Sequence, residues 1–459
     1  MLFRSAVLTD TRFDSAPAEG SLAVTLSVLH DPLELGEQTP EEILERNRHA
    51  EQALMAYQGE RAGMLLPFVA VTDNLSPLDY ARAVLDKAGI TQGPVQWCRF
   101  DCSTWLADAT GVRGVKHGLP VGAAPRSLAE GVERLTPLLC RFLLRHAGET
   151  SRYEPFADVL YQGLDTSRLA HQAWTLARAR RLLGRKELGE GAAKVLATLL
   201  RERFTDSTGR VWIRAREGAS ISEVAFVLLA LLEGSGERAS AGALADTLGS
   251  CIDVHGRFTC LLDPAADTDE YQDYFPGQAL LALARAAEKK LRAPDPARLA
   301  RAWRFYRHRF RHKRDWGQVS WMAQAAAAWW RVEGDEETAR FAFEICDWAL
   351  GYQSDKSGAF LNDHQFDPPG YTTAVHLEAI SAGAWLADRL GDRSRHGRYR
   401  EACARGVAFL DRLVLQERDV ALLPNPTWAL GGVRASLVQS EIRVDFVQHA
   451  LMALLAMRP

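Results

Sequence analysis

The sequence predicts a mainly α protein, an (α/α)6 toroid preceded by a small α+β domain. Three observations carry this expectation. From Ser127 onward, helices of small and apolar residues alternate with helices that carry a charged face. Such alternation is expected when inner helices are buried all round and outer ones meet water on one side. The apolar helices recur at intervals of about 40 to 75 residues, a period that signals stacked helical pairs. The loops that deliver the chain into them also share a glycine with a large apolar residue close behind: Gly209-Arg210-Val211-Trp212, Gly256-Arg257-Phe258, Gly358-Ala359-Phe360 and Gly431-Gly432-Val433-Arg434. That pattern suits a tight turn leading into a short hairpin.

Residues 1–110 read as the small domain. Leu22 to Leu29 is a short, β-branched strand ended by Asp31-Pro32. Pro40 to Tyr57 reads as a helix, with Thr39 as N-cap and Glu41 and Glu42 in its first turn. Met64 to Val71 reads as a second strand, held to a sheet edge by Pro67. Ser76-Pro77 opens a helix through Lys87 that Gly89 stops, and Val95 to Phe100 is a third strand. Two helices against a small sheet make an α+β module. Residues 111–126, rich in Gly and Pro, read as a linker.

Residues 127–459 read as the toroid. Its inner helices are Thr166 to Leu183, Ile221 to Leu232, Gly277 to Ala287, Gln318 to Trp330, Thr373 to Leu390 and Phe446 to Met457. The charged helix Leu128 to His146 supplies the outer partner of the last. That last helix is apolar nearly to its end and needs cover, which closure against the first hairpin provides and an open solenoid does not. The third entry, Asp269 to Glu288, is expected to turn at Pro276-Gly277 before its helix begins.

Two resemblances accompany this reading. Asp10-Thr11-Arg12-Phe13, Val24 to Leu29 with Asp31-Pro32, Gly63 to Ala70 (GMLLPFVA), and Lys87-Ala88-Gly89 followed by Trp97 resemble, in order and spacing, the C-terminal half of the AMMECR family domain. The Leu-Arg-Gly-Cys-type motif of that family's other half has no counterpart here, so the resemblance implies a docking or dimerising module. Tyr274 to Leu280 (YFPGQAL) and the hairpin glycines resemble the six-hairpin toroids of glycoside hydrolases, polysaccharide lyases and sugar epimerases. By that resemblance the mouth of the toroid acts on a saccharide through carboxylate and histidine acid–base chemistry.

Composition bounds the alternatives. A chain of 459 residues with a formal net charge of −3 gives no electrostatic case for nucleic acid or an acidic membrane surface. The basic run Arg301 to Arg314 reads as the solvated face of an outer helix. Seven cysteines without framework or zinc spacing, no secretory leader and no long apolar run suggest a cytoplasmic protein. No dinucleotide, Walker, nucleophile-elbow or HExxH motif occurs, so no cofactor and no metal is implied. The expected partners are a small molecule or saccharide, and a protein partner or second copy through the first domain. A non-catalytic scaffold in a biosynthetic complex and a cyclase or prenyl-chemistry toroid are the competing classes.

Helix starts facing one mouth concentrate polar groups, and their dipoles favour carboxylates. The catalytic candidates collected there are Asp273, Asp315, His376, Glu378, Glu441, Asp445 and His449. The binding candidates are Tyr274, Trp316, Gln318, Trp321, Tyr371, Trp428, Arg434 and Arg443, the aromatics as stacking walls for a sugar. Asp445 and His449 stand four apart on one helix face, so Asp445 either orients His449 as a base or caps the helix. Asp165, Arg168, His171 and Glu223 also stand at helix starts, Glu223 in a Ser220–Glu223 capping box.

Overall fold

The computed structural model describes residues 24–458 apart from 109–110, 121, 164, 217, 235–237, 292–294 and 362–367. Asp10 to Phe13 and the start of the expected first strand lie outside the described residues. The chain divides into two compact units, Met1–Ala123 and Ala124–Pro459.

The first unit is an antiparallel sheet with short helices. Its elements are β1 (Val24–Glu37), α1 (Pro40–Ile43), β2 (Gln52–Gln58), β3 (Arg61–Leu65), α2 (Pro67–Thr72), α3 (Pro77–Ala88), β4 (Gln96–Asp108), β5 (Gly111–Lys116) and β6 (Leu119–Pro120). The long strand β4 pairs with β1 along one edge; along the other it pairs first with β2 and then with β5. Helix α3 is capped as expected, by Ser76 at its start and by left-handed Gly89 at its end.

Four expectations for this unit are corrected. The helix over Pro40 to Tyr57 starts as foreseen, with a Thr39–Glu42 capping box, but lasts only to Ile43. The chain then reverses through Ala50, at φ 60, into β2, where Ala53, Leu54 and Ala56 are fully buried. Backbone pairing with β3 and β4 on both edges outweighs the helical propensity of an Ala- and Gln-rich stretch. Pro67 does not sit on a strand edge; it opens α2, where its missing N–H is not needed. Asp31-Pro32 does not end β1, which runs on through a register shift to Glu37. The segment read as a linker instead supplies β5 and β6, joined by a two-residue turn with left-handed His117 and Gly118.

The second unit is the expected ring. Six inner helices, α5 (Thr166–Leu183), α7 (Ile221–Glu233), α9 (Tyr271–Glu288), α11 (Trp316–Glu333), α13 (Thr372–Arg389) and α17 (Val444–Met457), pack each on the next, and α17 packs back on α5. Outside them lie α4 (Leu128–Arg145), α6 (Lys186–Arg201), α8 (Arg238–Ser250), α10 (Pro296–His312), α12 (Glu336–Leu350) and α14 (Arg393–Leu413). Helix α4 covers α17, as the sequence required. Short helices α15 (Glu417–Val420) and α16 (Pro426–Ala429) and strands β7 (Arg152–Glu154), β8 (Val159–Tyr161), β9 (Arg203–Thr205), β10 (Val211–Ile213) and β11 (Ile442–Arg443) fill the connections. The ring is also tied by backbone, since Ile442 of β11 pairs with Tyr153 of β7.

The hairpin glycines repeat one contact. Gly256, Gly358 and Gly431 are all left-handed, and a Cβ on any of them would strike the backbone carbonyl of an outer helix, at Arg301, Arg405 and Leu138 respectively. One entry differs from expectation: α9 already begins at Tyr271, so Pro276 and Gly277 lie inside the helix. Gly277 is needed there for close packing, because a Cβ would meet Trp321 and the Met322 amide of α11. No helix among the described residues is long and apolar enough to cross a membrane.

Candidate active site at the mouth of the toroid

The first turns of the inner helices meet at one end of the ring. Ser167 and Ser222 hydroxyls lie 2.5 Å apart between α5 and α7, Arg168 Nε reaches Asp445 Oδ2 at 3.3 Å between α5 and α17, and Tyr371 stacks on Phe446 at 3.7 Å between α13 and α17. Six positive helix ends converge here, which offsets the cost of gathering carboxylates.

Asp445 does not cap its helix; Arg443 occupies the N-cap position. Its carboxylate instead accepts a two-pronged bond from Arg443, at 2.7 and 3.1 Å. Burial raises its pKa, but the Arg443 bond and the charges of Arg443 and Arg168 prevail and hold it below the ordinary carboxylate value. Below it, His449 Nδ1 lies 2.6 Å from Glu378 Oε1, and Glu378 Oε2 accepts from Gln324 Nε2 at 3.0 Å. Glu378 is sealed from water, whereas the His449 side chain keeps 13% exposure. His171 and Trp321 pack around that imidazole, His171 at 4.9 Å edge-on and Trp321 at 5.6 Å, and Phe226 stacks on His171.

Beside this floor, between the starts of α5, α7 and α9, lies a cavity of about 320 Å³ lined by Asp165, Ser167, Arg216, Glu223, Tyr271 and Phe275, among others. Glu223 caps α7 as its sequence foretold, Oε2 accepting the Ser220 N–H at 2.9 Å and the Ser220 hydroxyl. No other described residue is bonded to its Oε1, and its own backbone N–H also favours the charged form. Burial, opposed by the Ser220 bonds, pushes the carboxyl from its ordinary 4.5 up to about 7. Tyr271 and Phe275 stack at 5.1 Å with planes 15° apart. The cavity therefore combines a carboxyl that holds its proton near neutrality with an aromatic wall. Asp165, which caps α5, is ion-paired with Arg168 at 3.0 Å.

The other sequence candidates lie elsewhere. Asp273 is buried in a clamp of Arg309 (2.6 Å), Lys313 (3.1 Å) and Gln318 (3.0 Å), so its charge and the Gln318 amide donor are spent on holding α9, α10 and α11 together. Part of the basic run read as a solvated face thus grips an inner helix. Asp315 caps α11 through the Gly317 N–H at 2.8 Å. His376 is buried beside Trp316 (4.4 Å) and Phe360, neither ring nitrogen has a hydrogen-bond partner among the described residues, and burial drives its pKa down to about 3. Trp316 packs on Trp348 and Tyr352, away from any sugar wall. Trp428 packs on His146 and Tyr153 where the ring closes. Glu441 pairs with Arg152 at 3.3 Å, and buried Arg434 donates to the Arg412 and Leu437 carbonyls. Tyr274 is 42% exposed and lies against Gly317. The mouth thus brings together Glu378, Asp445, His449, Trp321, Tyr371 and Arg443. It adds Glu223, Tyr271, Phe275 and His171, which sequence reasoning did not carry to the site. The available signal was a single glutamate at the head of the otherwise apolar α7.

The ring and its mouth define the class: an α/α toroid of the six-hairpin kind. Among solved structures it is similar to the GH76A α-1,6-mannanase from Salegentibacter sp. HEL1_6, with TM-score 0.51 and 12% identity over 72% of this chain and 98% of that one. It is similar to the same extent to the unsaturated glucuronyl hydrolase from Bacillus sp. GL1, with TM-score 0.50 and 13% identity over 72% and 96%. At these identities the likeness is one of fold. The curated protein MK0488 of Methanopyrus kandleri is 30% identical over 108 residues, 23% of this chain, and the chain spans only about half (51%) of that protein. No family profile matches the chain.

Proposed function

We propose that the toroid is a carbohydrate-active enzyme that cleaves a glycosidic bond at its mouth, with Glu223 as the proton donor. The observation that carries this reading is the Glu223 carboxyl, pushed up to about 7, with one oxygen that no other described residue bonds, in an aromatic-walled cavity. A general acid works best when its pKa lies near the working pH, and stacked aromatic rings suit the apolar face of a pyranose. The Tyr271–Phe275 pair is the stacking wall. His449, whose Nδ1 is tied to Glu378, keeps Nε2 for proton transfer and is the base; Asp445, fixed by Arg443 and Arg168, holds that end of the mouth in shape. The fold likeness to a mannanase and a glucuronyl hydrolase makes α-1,6-mannosides and unsaturated uronides the first substrates to try.

Glu223→Gln tests this directly. Glutamine keeps the capping geometry but cannot deliver a carboxylic proton. Turnover on a panel of glycosides and uronides should fall at least 100-fold while the variant stays folded. Wild-type turnover in Glu223→Gln, or neither binding nor turnover across the panel, would sink the reading. The AMMECR-like motifs of the first unit support its reading as a docking or dimerising module.

A further inference from the structure

The first unit carries its own chemistry-bearing cluster. On the open face of the sheet, Ser103 of β4 lies diagonally across from His30 of β1, since Val28 pairs with Ser103 and His30 with Asp101. His30 Nε2 lies 3.1 Å from Ser103 Oγ, and His30 Nδ1 lies 2.8 Å from Asp31 Oδ2. Asp31 follows His30 immediately and can reach back to its ring because the chain breaks register there. It stands at φ 50, a strained value for a residue other than glycine, within the irregularity between His30 and Leu33. Irregularities of this kind re-aim side chains. His30 and Ser103 line a cavity of about 470 Å³, the larger of the two described here.

We propose that Ser103, His30 and Asp31 form a nucleophilic triad that cleaves carboxylic esters with a small apolar acyl group. With the Nδ1 proton donated to Asp31, Nε2 is free to accept the Ser103 hydroxyl proton. Ser103 Oγ bonds to the ester carbonyl carbon, the carbon–alkoxy bond breaks, and the alcohol leaves with the proton from His30. Water then adds to the acyl carbon, giving His30 a proton that returns to Ser103 as the carboxylic acid departs.

Two further features fit an acyl ester. Leu26, Val28 and Trp105 are 45%, 44% and 39% exposed. They form a strip leading to Ser103, with Leu26 paired to Trp105. In addition, β2 pairs with β4 only as far as Asp101, and β5 only from Thr104. Successive residues of an antiparallel strand point their N–H groups to opposite edges, so either Cys102 or Ser103 turns an N–H into this gap. That N–H is the donor for the developing oxyanion. A metal ion is the rival occupant, because His30, Asp31 and Asp101 offer ligand atoms within 4.8 Å of one another. Asp101, however, already accepts from Arg48 at 2.8 Å and Gln52 at 2.6 Å, and the guanidinium opposes a cation.

The test uses the full chain with a fluorophosphonate probe and p-nitrophenyl butyrate. The probe should attach to Ser103, located by peptide mass mapping. Ser103→Ala should abolish labelling, and His30→Ala should slow it on the order of 100-fold, the contribution expected of a positioned base. Asp31→Asn should slow it only several-fold, because His30 and Asp31 are open to water and their pairing is screened. Glu223→Gln should label like wild type, which separates this activity from that of the toroid. An unlabelled wild-type chain, or equal labelling in wild type and His30→Ala, would overturn the proposal.

Discussion

Glu223 offers a prediction in which one number governs both stability and rate. Its carboxyl moves from an ordinary 4.5 to about 7 in the folded protein, chiefly through burial. A raised acid favours the fold in its protonated form. That stability is fully present below pH 4.5, where both states are protonated, and is lost as pH rises to about 7. At 1.36 kcal/mol per pKa unit, the loss amounts to about 3 kcal/mol. Glu223→Gln keeps the cap and has no proton to lose. It should therefore match wild type near pH 4 and exceed it by up to about 3 kcal/mol at pH 8. Equilibrium urea unfolding at both pH values, followed by tryptophan fluorescence, measures the gap, and turnover of the wild type should fall as pH rises past 7. A wild-type-to-variant difference that stays constant with pH would refute the reasoning, since burial of Glu223 would then not be setting its ionisation.

His449→Ala and Glu378→Gln should each cut turnover by about 100-fold or more, and the double variant should be little worse than either; losses that add would show that the two residues do not act as a unit. Gly358→Ala should destabilise the toroid by about 3 kcal/mol, because a Cβ strikes the Arg405 carbonyl as well as straining a φ of 79°. Gly209→Ala has open space around it at φ 85° and should cost only about 1 kcal/mol in the same unfolding assay. Asp273→Asn should destabilise by about 1–3 kcal/mol, because it loses the buried carboxylate while Arg309 and half-exposed Lys313 keep Asp269 as a partner, with kcat of the folded fraction unchanged. His376→Phe should be neutral or stabilising by about 1 kcal/mol, since both ring nitrogens are buried without a hydrogen-bond partner among the described residues.

The inner helices were legible because burial on every side demands small and apolar residues along their whole length, as in Ile221 to Leu232. The cap at Ser220 was legible too, because a helix start exposes N–H groups that only a few side chains satisfy, whereas Asp315, a catalytic candidate by sequence, is a cap. The first unit was harder. Gln52–Gln58 looks helical by composition and became a strand because two neighbours pair with its backbone. Pro67 is compatible with a strand edge and with a helix start, and only the chain around it selects the second.

The site divides the same way. Sequence placed Glu378, Asp445 and His449 at helix starts on one mouth, but could not show that Glu378 and His449, 71 residues apart, would meet at 2.6 Å. It could not show that Arg309 and Lys313 of the basic run would spend the charge of Asp273, nor that a capping glutamate would also line a cavity. A repeat fixes which elements face inward, because periodicity and burial are properties of the chain alone; that much the sequence determined, and it includes the closed ring. Which acid keeps an oxygen that no other residue bonds, which is neutralised and which holds its proton depend on groups brought from distant repeats, and only the tertiary structure decided that.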